Sequence, residues 1–275
     1  MHPLALAIII FIATVCGVFL VWLALIAPRA RKCAVKPFLR PYAHRGLWSD
    51  TVPENSLAAF ELAVKAGFAI ELDVQLSRDG EVMVFHDYTL TRMCGKDAKL
   101  SALTAAELAA CTLGNSKEHI PTLAQVLELV GGSVPLLIEL KGESGDTALC
   151  PAVAALLDAY KGEWCVESFN PLLLRWFKKH RKSAVRGLLS TDLIKEKKNG
   201  SRVLNFALSA LWLTFLCRPA FHAWDQHYPR RLALRCGIKC FGAASFVYTV
   251  KNQADYDRQL SAGNYPIFDG FVPRS

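Results

Sequence analysis

Short apolar segments alternate with helical patterns along the chain from about residue 41 onward. The segments AIELDVQLS (69–77), VPLLIELK (134–141) and WCVESF (164–169) are short and rich in aliphatic side chains, which is typical of buried strands. Amphipathic helices such as SLAAFELAVKAG (56–67) lie between such segments. Strands that alternate with helices form parallel sheets. About eight such units predict an α/β protein with a (β/α)8 TIM barrel rather than an open sheet.

An uncharged segment from Leu4 to Ala27 precedes the predicted barrel. As a helix it would be about 36 Å long, which is enough to cross a bilayer. A cleaved signal peptide is the alternative, but no Lys or Arg precedes the segment and no clear small-residue cleavage site ends it. We therefore predict one N-terminal transmembrane helix within residues 1–27.

Basic residues follow the apolar segment, and the first acidic residue after it is Asp50. The basic residues are Arg29, Arg31, Lys32, Lys36 and Arg40. By the positive-inside tendency, this side of the helix faces the cytoplasm. The sequence thus predicts a single-pass membrane protein with a transmembrane anchor (1–27), a basic linker (28–40) and a cytoplasmic barrel (41–275).

The net charge and the cysteine content indicate which binding partners and which redox state of the thiols to expect. The formal net charge of +8 favours phosphate, anionic lipid or nucleic acid. No basic stripe interleaved with aromatic residues accompanies this charge, so we expect a phosphate-bearing substrate and a membrane, and no nucleic acid. The nine cysteines are odd in number and scattered, which indicates reduced thiols. Nothing in the sequence identifies a protein partner.

One segment breaks the alternation of strands and helices. VLNFALSALWLTFLC (203–217) contains no charged residue and is short for a membrane span. Basic residues flank it, which suits an anionic membrane surface. They are Lys195, Lys197, Lys198, Arg202 and Arg218. We predict an apolar helical insertion that lies on the barrel or enters the membrane interface. A buried core helix is the alternative.

Charged residues occur in pairs with i, i+2 spacing on two of the predicted strands. Glu71 and Asp73 lie two residues apart, and residues i and i+2 of a strand share one face. Glu139 and Lys141 have the same spacing on a later strand. The C-terminal ends of barrel strands form one rim, where these groups would meet. Carboxylates so placed favour a Mg²⁺ or Ca²⁺ site, and Lys141 would add a point charge for a phosphate or a carboxylate. Buried ion pairs without a metal are the alternative.

Two histidines lie at the ends of predicted strands in the same region. His44 and His86 fit a general acid and base, one removing a proton and the other protonating a leaving alkoxide. Arg45 offers a planar fork for phosphate. Glu54 and Asn55 follow on the next loop and can reach the same rim as a further ligand or as hydrogen-bond partners of the ligands.

The order of these motifs resembles the glycerophosphodiester phosphodiesterase family from about residue 40 to the end of the chain. The matching motifs are HRG (44–46), PENS (53–56), AF (59–60), AG (66–67), ELDV (71–74), RDG (78–80), VFHD (84–87), TLTR (89–92), IPTL (120–123), IELK (138–141) and ESFNP (167–171). Any one motif is weak, but their order and spacing are highly specific.

The resemblance implies a (β/α)8 barrel and metal-dependent hydrolysis of a glycerophosphodiester to glycerol 3-phosphate and an alcohol. It implies metal binding by Glu71, Asp73 and Glu139, and acid–base chemistry by His44 and His86. It also implies a route in which the glycerol hydroxyl beside the phosphate attacks first and gives a cyclic phosphate.

The C-terminal region departs from the family pattern. Tyr248 stands where the family often has a tryptophan, and Lys251 intervenes before Asn252. The resemblance implies that Tyr248 forms an aromatic wall over the glycerol. These departures leave the predicted catalytic set intact and leave the substrate preference open.

The anchor, the basic linker and the insertion indicate a substrate drawn from the bilayer. A deacylated phospholipid and a membrane lysophospholipid, the substrate of a lysophospholipase D, are both candidates. Related phosphodiesterases that cleave phosphatidylinositol or sphingomyelin use the same type of site. A non-catalytic, membrane-tethered phosphodiester-binding module and a structural membrane scaffold are alternatives from other functional classes.

Overall fold

Nine strands are present among residues 3–29, 32–142 and 145–274, which a computed structural model describes. They are β1 (Tyr42–His44), β2 (Ala69–Leu76), β3 (Val82–Val84), β4 (Leu136–Leu140), β5 (Trp164–Ser168), β6 (Val185–Ser190), β7 (Phe221–Asp225), β8 (Ala244–Val250) and β9 (Tyr265–Phe268). All except β3 are parallel, and they close into a barrel because β1 pairs with β2 on one side and with β9 on the other. This barrel confirms the predicted (β/α)8 fold.

Helices lie along the chain between the barrel strands and before the first one. They are α1 (Pro3–Ile26), α2 (Lys32–Val35), α3 (Leu57–Lys65), α4 (Thr91–Cys94), α5 (Ala105–Ala109), α6 (Leu123–Val130), α7 (Leu149–Ala159), α8 (Pro171–His180), α9 (Arg202–Ser209), α10 (Thr214–Cys217), α11 (Leu232–Lys239) and α12 (Gln253–Ser261). Side-chain caps begin several of them, for example Ser56 before α3 and Thr122 before α6.

The third strand is not part of the barrel. β3 runs antiparallel to β2, with Val84 opposite Val74. The prediction that His86 ends a barrel strand is therefore wrong. The chain instead folds back along β2, where Phe85 N donates to Asp73 O at 3.0 Å. The hairpin therefore brings His86 to the rim by a different route.

Aromatic side chains fill the end of the barrel at which the strands begin. The Phe221 and Phe246 rings lie 4.7 Å apart between centroids. A Cβ at Gly187 would lie 1.9 Å from the Phe221 ring, so a larger residue on β6 has no room there. Val35 and Phe38, within the predicted basic linker, are buried in this cluster. Because this floor is closed, a site can open only at the opposite rim.

The predicted span forms one helix, α1. Its most apolar 18-residue window has a mean hydropathy of 3.0, which makes it long and apolar enough to cross a membrane. Its last turn packs against the barrel, where Ile26 is fully buried. Arg218 Nη1 donates to Ala27 O at 2.7 Å, and Arg29 N donates to Pro219 O at 2.9 Å. These contacts fix the C-terminal end of α1 to the barrel wall. Arg31 lies outside the described residues.

The apolar segment 203–217 forms α9, a turn and α10 on the outer surface between β6 and β7. Large apolar side chains of α9, including Val203 and Phe206, are exposed. α9 is therefore not a buried core helix, whereas Leu211 and Cys217 of the same segment belong to the hydrophobic core.

One buried histidine lies away from the rim. His222 on β7 is fully buried, and neither of its ring nitrogens has a hydrogen-bond partner within the described part of the chain. It packs so close to α11 that a Cβ at Gly237 would lie 3.0 Å from His222 Nε2. Burial, aided by the charge of Arg231, lowers the pKa of His222 to about 4.

The folded protein should therefore lose stability as the pH falls from about 6.5 to about 4. The unfolded chain binds a proton at His222 in this range and the folded chain does not, which corresponds to about 3 kcal/mol at the acid end. We expect the wild type to lose about 2 kcal/mol more than His222→Leu between pH 7 and pH 4.5. Chemical unfolding in detergent at both pH values measures this difference. Equal losses in the two proteins would contradict the assignment.

Candidate active site

The turn after β1 requires unusual backbone conformations. Arg45 and Asn55 have φ angles of 58° and 55°, which are uncommon for residues with a side chain. Between them, Gly46 has no space for a side chain, since its Cβ would lie 2.8 Å from the Ala59 backbone. Asn55 N donates to Arg45 O at 2.9 Å and closes the turn. Both side chains are thereby held against Asp73.

Three carboxylates meet at the rim, as predicted from their spacing. Glu71 and Asp73 lie two residues apart on β2, and Glu139 of β4 pairs with Asp73 across the sheet. Each offers an oxygen within 4.8 Å of an oxygen from the other two, and all three side chains are buried. Glu167, opposite Glu139 on β5, is buried beside them. We refer to Glu71, Asp73 and Glu139 as the acidic triad.

The triad carries its negative charge unevenly. Burial raises the pKa of Glu71, and the charges of Asp73 and Glu139 raise it further. Burial likewise raises the pKa of Glu139, to about 7. Burial opposes ionisation of Asp73 as well, but Lys141 and Arg45 outweigh it and hold that pKa well below its usual value. Asp73 is therefore ionised. Glu71 and Glu139 have too little positive charge near them to offset the rise in pKa that burial causes.

Two cations contact the triad from opposite sides. Lys141 Nζ lies 2.9 Å from Asp73 Oδ1 and 2.9 Å from Glu139 Oε1. Arg45 Nε lies 3.3 Å from Asp73 Oδ2, which also accepts from Asn55 Nδ2 at 2.9 Å. Within the described residues no lysine or arginine side chain pairs with Glu71, which accepts from the Arg45 backbone N at 3.1 Å. Asp73 thus forms the buried ion pairs that were the alternative to a metal site. Glu71 forms none with a lysine or arginine side chain of the described residues, so its negative charge is not offset.

Each predicted catalytic histidine has a carboxylate at its Nδ1. His44 Nδ1 lies 3.6 Å from Asp269 Oδ2, and its Nε2 lies 3.9 Å from Glu71 Oε2. His86 Nδ1 lies 2.6 Å from Asp87 Oδ1. Burial is the main cause that lowers the pKa of both histidines, aided at His44 by Arg45. Both rings are therefore neutral near pH 7. Asp269 and Asp87 lie beside the Nδ1 atoms, so the Nε2 atom of each ring is the one left for proton transfer.

An arginine outside the predicted catalytic set connects the two loops of the site. Arg92 Nε donates to Asp87 Oδ2 at 2.6 Å, and its Nη2 donates to Glu54 Oε1 at 2.6 Å. Arg45 Nη1 donates to the same Glu54 oxygen at 2.7 Å. Glu54 thus links Arg45 to Arg92, which holds Asp87 beside His86. The position of Arg92 in the TLTR motif was the sequence signal that could have identified it.

Two further residues support the site. Gln75 Nε2 donates to the backbone oxygens of Phe85, His86 and Asp87 at 2.8, 3.2 and 2.9 Å. It lies two residues after Asp73 on β2, so the i, i+2 pattern extended one step further would have found it. Asp269, which contacts His44, follows β9, and no local pattern links it to β1.

The predicted aromatic wall lies on the other side of the rim. Tyr248 is on β8, and its hydroxyl donates to Ser190 O at 3.1 Å. The Phe169 ring packs edge-on against it, with 6.1 Å between centroids. Phe169 is partly exposed and extends the aromatic surface beyond the residue that the sequence predicted.

The match to known proteins covers the barrel and all of these residues. The model of the glycerophosphoryl diester phosphodiesterase family matches residues 44–272. The chain belongs to this family. A glycerophosphodiester phosphodiesterase of Caldanaerobacter subterraneus is 31% identical over 234 residues, which cover 80% of this chain and 89% of the relative. The resemblance inferred from the motifs is confirmed.

Solved structures and a human relative extend the comparison. An Oleispira antarctica phosphodiesterase in complex with the product sn-glycerol-3-phosphate has a TM-score of 0.69 and 25% identity, over 83% of this chain and 92% of that one. A Thermotoga maritima glycerophosphodiester phosphodiesterase has a TM-score of 0.64 and 28% identity, over 83% and 94%. Lysophospholipase D GDPD1 of Homo sapiens is 31% identical over 134 residues, which cover 44% of this chain and 41% of that protein.

The acidic triad should bind a divalent cation, and Glu71→Gln should separate metal binding from folding. Gln keeps the shape of Glu71 and removes a carboxyl group whose ionised form is disfavoured by burial and by its acidic neighbours, so the metal-free variant should unfold no earlier than the wild type. The wild type should gain about 2.7 kcal/mol of stability at a metal concentration 100-fold above Kd, and the variant should gain none. Thermal unfolding with Mg²⁺, Ca²⁺ or EDTA measures both effects.

The exposed residue Glu128 on α6 offers a matched control. Glu128→Gln should keep the full metal-dependent gain. The triad is not the binding site if Glu71→Gln gains as much stability from the metal as the wild type does.

Proposed function

We propose that this protein hydrolyses glycerophosphodiesters to glycerol 3-phosphate and an alcohol. The observation that carries the proposal is the acidic triad at a barrel rim that also holds His44 and His86, within the region matched by the family. Two carboxyls of the triad have raised pKa values, so the site has an excess of acceptors for positive charge. Two neutral imidazoles beside it supply groups that accept and donate protons.

The triad fits a hard divalent cation such as Mg²⁺ or Ca²⁺. Its three buried carboxylates supply the oxygen ligands that these ions prefer, and Glu71 has no cationic side chain of its own in the described residues. We propose Glu71, Asp73 and Glu139 as the ligands, with Asn55 and Glu54 holding Asp73 and Arg45 in place. When bound, the cation would act as a Lewis acid on a phosphoryl oxygen.

Arg45 and Lys141 form the positive side of the site. Both are largely buried, and each spans from a carboxylate toward the rim, where a phosphate oxygen of the substrate can accept a hydrogen bond from it. Their charges are held in position before substrate arrives, because Asp73 contacts both. A preformed arrangement of this kind stabilises charge that develops on the phosphoryl group without reorganisation.

His44 and His86 divide the proton transfers between them. The Asp87 carboxylate, 2.6 Å from His86 Nδ1, favours the His86 tautomer in which Nδ1 carries the proton and Nε2 accepts one. A lowered pKa keeps each ring neutral and ready to act as a base near pH 7. One ring removes a proton from the attacking hydroxyl or water, and the other, after it takes up a proton from solvent, donates that proton to the leaving alkoxide.

A membrane lysophospholipid is a second candidate substrate, and the packing of α1 favours it. Ile26 is part of the barrel core, and Arg218 bonds to Ala27, so removal of α1 as a signal peptide would expose packed surface. We propose that α1 is retained as an anchor with the barrel on the cytoplasmic side, as the basic residues after it favour. The human relative is named a lysophospholipase D, which agrees with a substrate held in a membrane.

Hydrolysis by the full chain in detergent tests the proposal. The substrates are glycerophosphocholine, glycerophosphoethanolamine, glycerophosphoglycerol and a lysophospholipid, each with Mg²⁺, Ca²⁺ or EDTA. We expect metal-dependent release of glycerol 3-phosphate, or of lysophosphatidate from the lysolipid. His86→Gln should lower kcat by about 10²–10⁴-fold because a proton transfer is lost. The exposed His119 provides the control, and His119→Gln should retain full activity.

A folded, metal-binding protein that cleaves none of these substrates would contradict the proposal. That result would favour the phosphodiester-binding module. Retained activity in His86→Gln would reject the acid–base assignment while leaving the reaction in place.

Arg92 should act as a positioning residue for His86. Arg92→Gln frees Asp87 and Glu54, so kcat should fall about 10-fold or more while the metal-dependent gain in thermal stability remains. Arg92→Lys should recover part of the rate, since it restores the charge without the fork. Arg78 pairs with Glu107 on the exposed surface, so Arg78→Gln is the matched control. Equal rates for Arg92→Gln and Arg78→Gln would contradict this role.

A further inference from the structure

The helix α9 has its polar face inward and its apolar face outward. Asn205 and Ser209 face the barrel and are 8% and 9% exposed. Val203 and Phe206 on the outer side are 80% and 50% exposed. A helix on a water-facing surface has the opposite arrangement, with the apolar stripe against the core. The arrangement of α9 matches a surface that contacts an apolar medium.

Hydrogen bonds fix this orientation. Asn205 Nδ2 donates to Lys198 O at 2.9 Å. Ser209 Oγ donates to Asn205 O at 2.7 Å and accepts from Leu193 N at 3.0 Å. Rotation of the helix would break these buried bonds and leave polar groups without partners. These hydrogen bonds therefore hold the apolar residues of α9 on the outer surface.

The apolar surface of α9 continues into α1 through Trp212. The Trp212 ring packs edge-on against Phe206, with 5.2 Å between centroids. Together with α1 it lines an apolar groove with a volume of about 410 Å³. The residues of α1 in this groove are Val15, Val18, Phe19, Val21, Trp22 and Leu25.

The groove sets the depth of Trp212 relative to the bilayer. Val15 and Leu25 are ten residues apart, or about 15 Å along a helix. A hydrocarbon core of about 30 Å takes up some 20 residues of the 24-residue helix α1. Any placement of α1 across a bilayer therefore puts most of the Val15–Leu25 segment in hydrocarbon. Trp212 lines the same groove as that segment, which places it beside the same layer.

Basic residues at the edge of the apolar surface of α9 indicate which lipids this surface would contact. Lys197, Lys198 and Arg202 precede the exposed part of α9 and are themselves exposed. Basic side chains beside an apolar helix bind anionic headgroups, each contributing about 1 kcal/mol near the membrane surface. The apolar surface and its basic edge together fit a membrane leaflet that contains anionic lipid.

The same segment is connected to the rim of the barrel. Arg231 Nη1 donates to Thr191 O at 2.9 Å and to Ser209 O at 3.2 Å, and its Nη2 donates to Ser190 Oγ at 2.7 Å. Tyr248, the residue predicted to form an aromatic wall over the glycerol, donates to Ser190 O. Arg231 therefore joins the end of α9 to the side of the rim that carries the aromatic residues.

We propose that residues 202–217, which we call the α9–α10 insertion, enter the leaflet beside α1 and present a lipid-held substrate to the rim. The inference rests on the proposed function and deepens it. It names a single-chain amphiphile, with its acyl chain in the leaflet and its phosphodiester at the rim, as the substrate class. The anchor and the insertion then hold the barrel at two points on the same membrane.

Photolabelling from within the bilayer tests the insertion directly. The full chain is reconstituted into vesicles of phosphatidylcholine and phosphatidylglycerol that contain a phospholipid with a diazirine in its acyl chain. We expect labelled peptides from α1 and from 202–217, and none from α6, which also carries exposed apolar residues. Label on α1 alone would overturn the inference. Label on neither would reject it together with the anchor.

Paired variants test the consequence for the substrate. Val203→Glu with Phe206→Glu places charge on the insertion, and Leu62→Glu with Leu129→Glu places the same charge on exposed positions of α3 and α6. The first pair should lower hydrolysis of a vesicle-bound lysophospholipid at least 10-fold. It should leave hydrolysis of the soluble glycerophosphodiester with the same headgroup within 2-fold, and the second pair should change neither rate.

Unchanged rates on both substrates, or an equal loss on both, would overturn the substrate class. Equal thermal unfolding temperatures for the two pairs verify that the charges act on membrane contact and not on folding. A wild type that hydrolyses nothing, while its insertion is photolabelled, would refute the proposed function and the substrate class but retain the membrane contact.

Discussion

The charge of Asp73 organises the rim. A buried carboxylate costs several kcal/mol unless cations and hydrogen-bond donors surround it. Asp73 is fully buried, and Arg45, Lys141 and Asn55 converge on its two oxygens. Two of these three partners have positive φ angles in the turn after β1 or next to it, so the backbone accepts strain where it serves this contact. Lys141 also contacts Glu139, but in the described part of the chain neither lysine nor arginine side chains pair with Glu71, which is left with a raised pKa.

The strand β2 distributes these contacts to the rest of the site. Its inward residues Glu71, Asp73 and Gln75 face β1, β4 and the loop after β3 in turn. Glu71 accepts from the Arg45 backbone, Asp73 accepts from Asn55, and Gln75 donates to three consecutive carbonyls. One strand with the right alternation therefore positions both histidine-bearing segments. A slip of one residue in its register would turn all three side chains away from the rim.

The sequence predicted the barrel and the triad because both depend on local periodicity. Strand–helix alternation and the i, i+2 spacing of Glu71 and Asp73 are visible without tertiary information. The position of His86 was predicted for the wrong structural reason, since an antiparallel hairpin and a barrel strand have the same short apolar pattern. Arg92 and Asp269 act through contacts with residues far away in the chain, so the TLTR motif marked Arg92 but did not reveal its contact with Glu54. The inward polar face of α9 was also hidden, because amphipathicity does not reveal which face meets the barrel.

The packing of α1 against the barrel determines how the proposed anchor would act. A flexible linker would hold the barrel near a membrane and let it rotate, so that the rim met the surface at random. Here Ile26 lies in the barrel core, while Val35 and Phe38 close the barrel floor. Because buried apolar contacts of this kind restrict rotation, the orientation of the rim relative to α1 is a property of the fold. An enzyme held in one orientation gains access to substrates in the bilayer only if its own surface tolerates hydrocarbon. The outward apolar face of α9 meets that requirement on the side where α1 is attached.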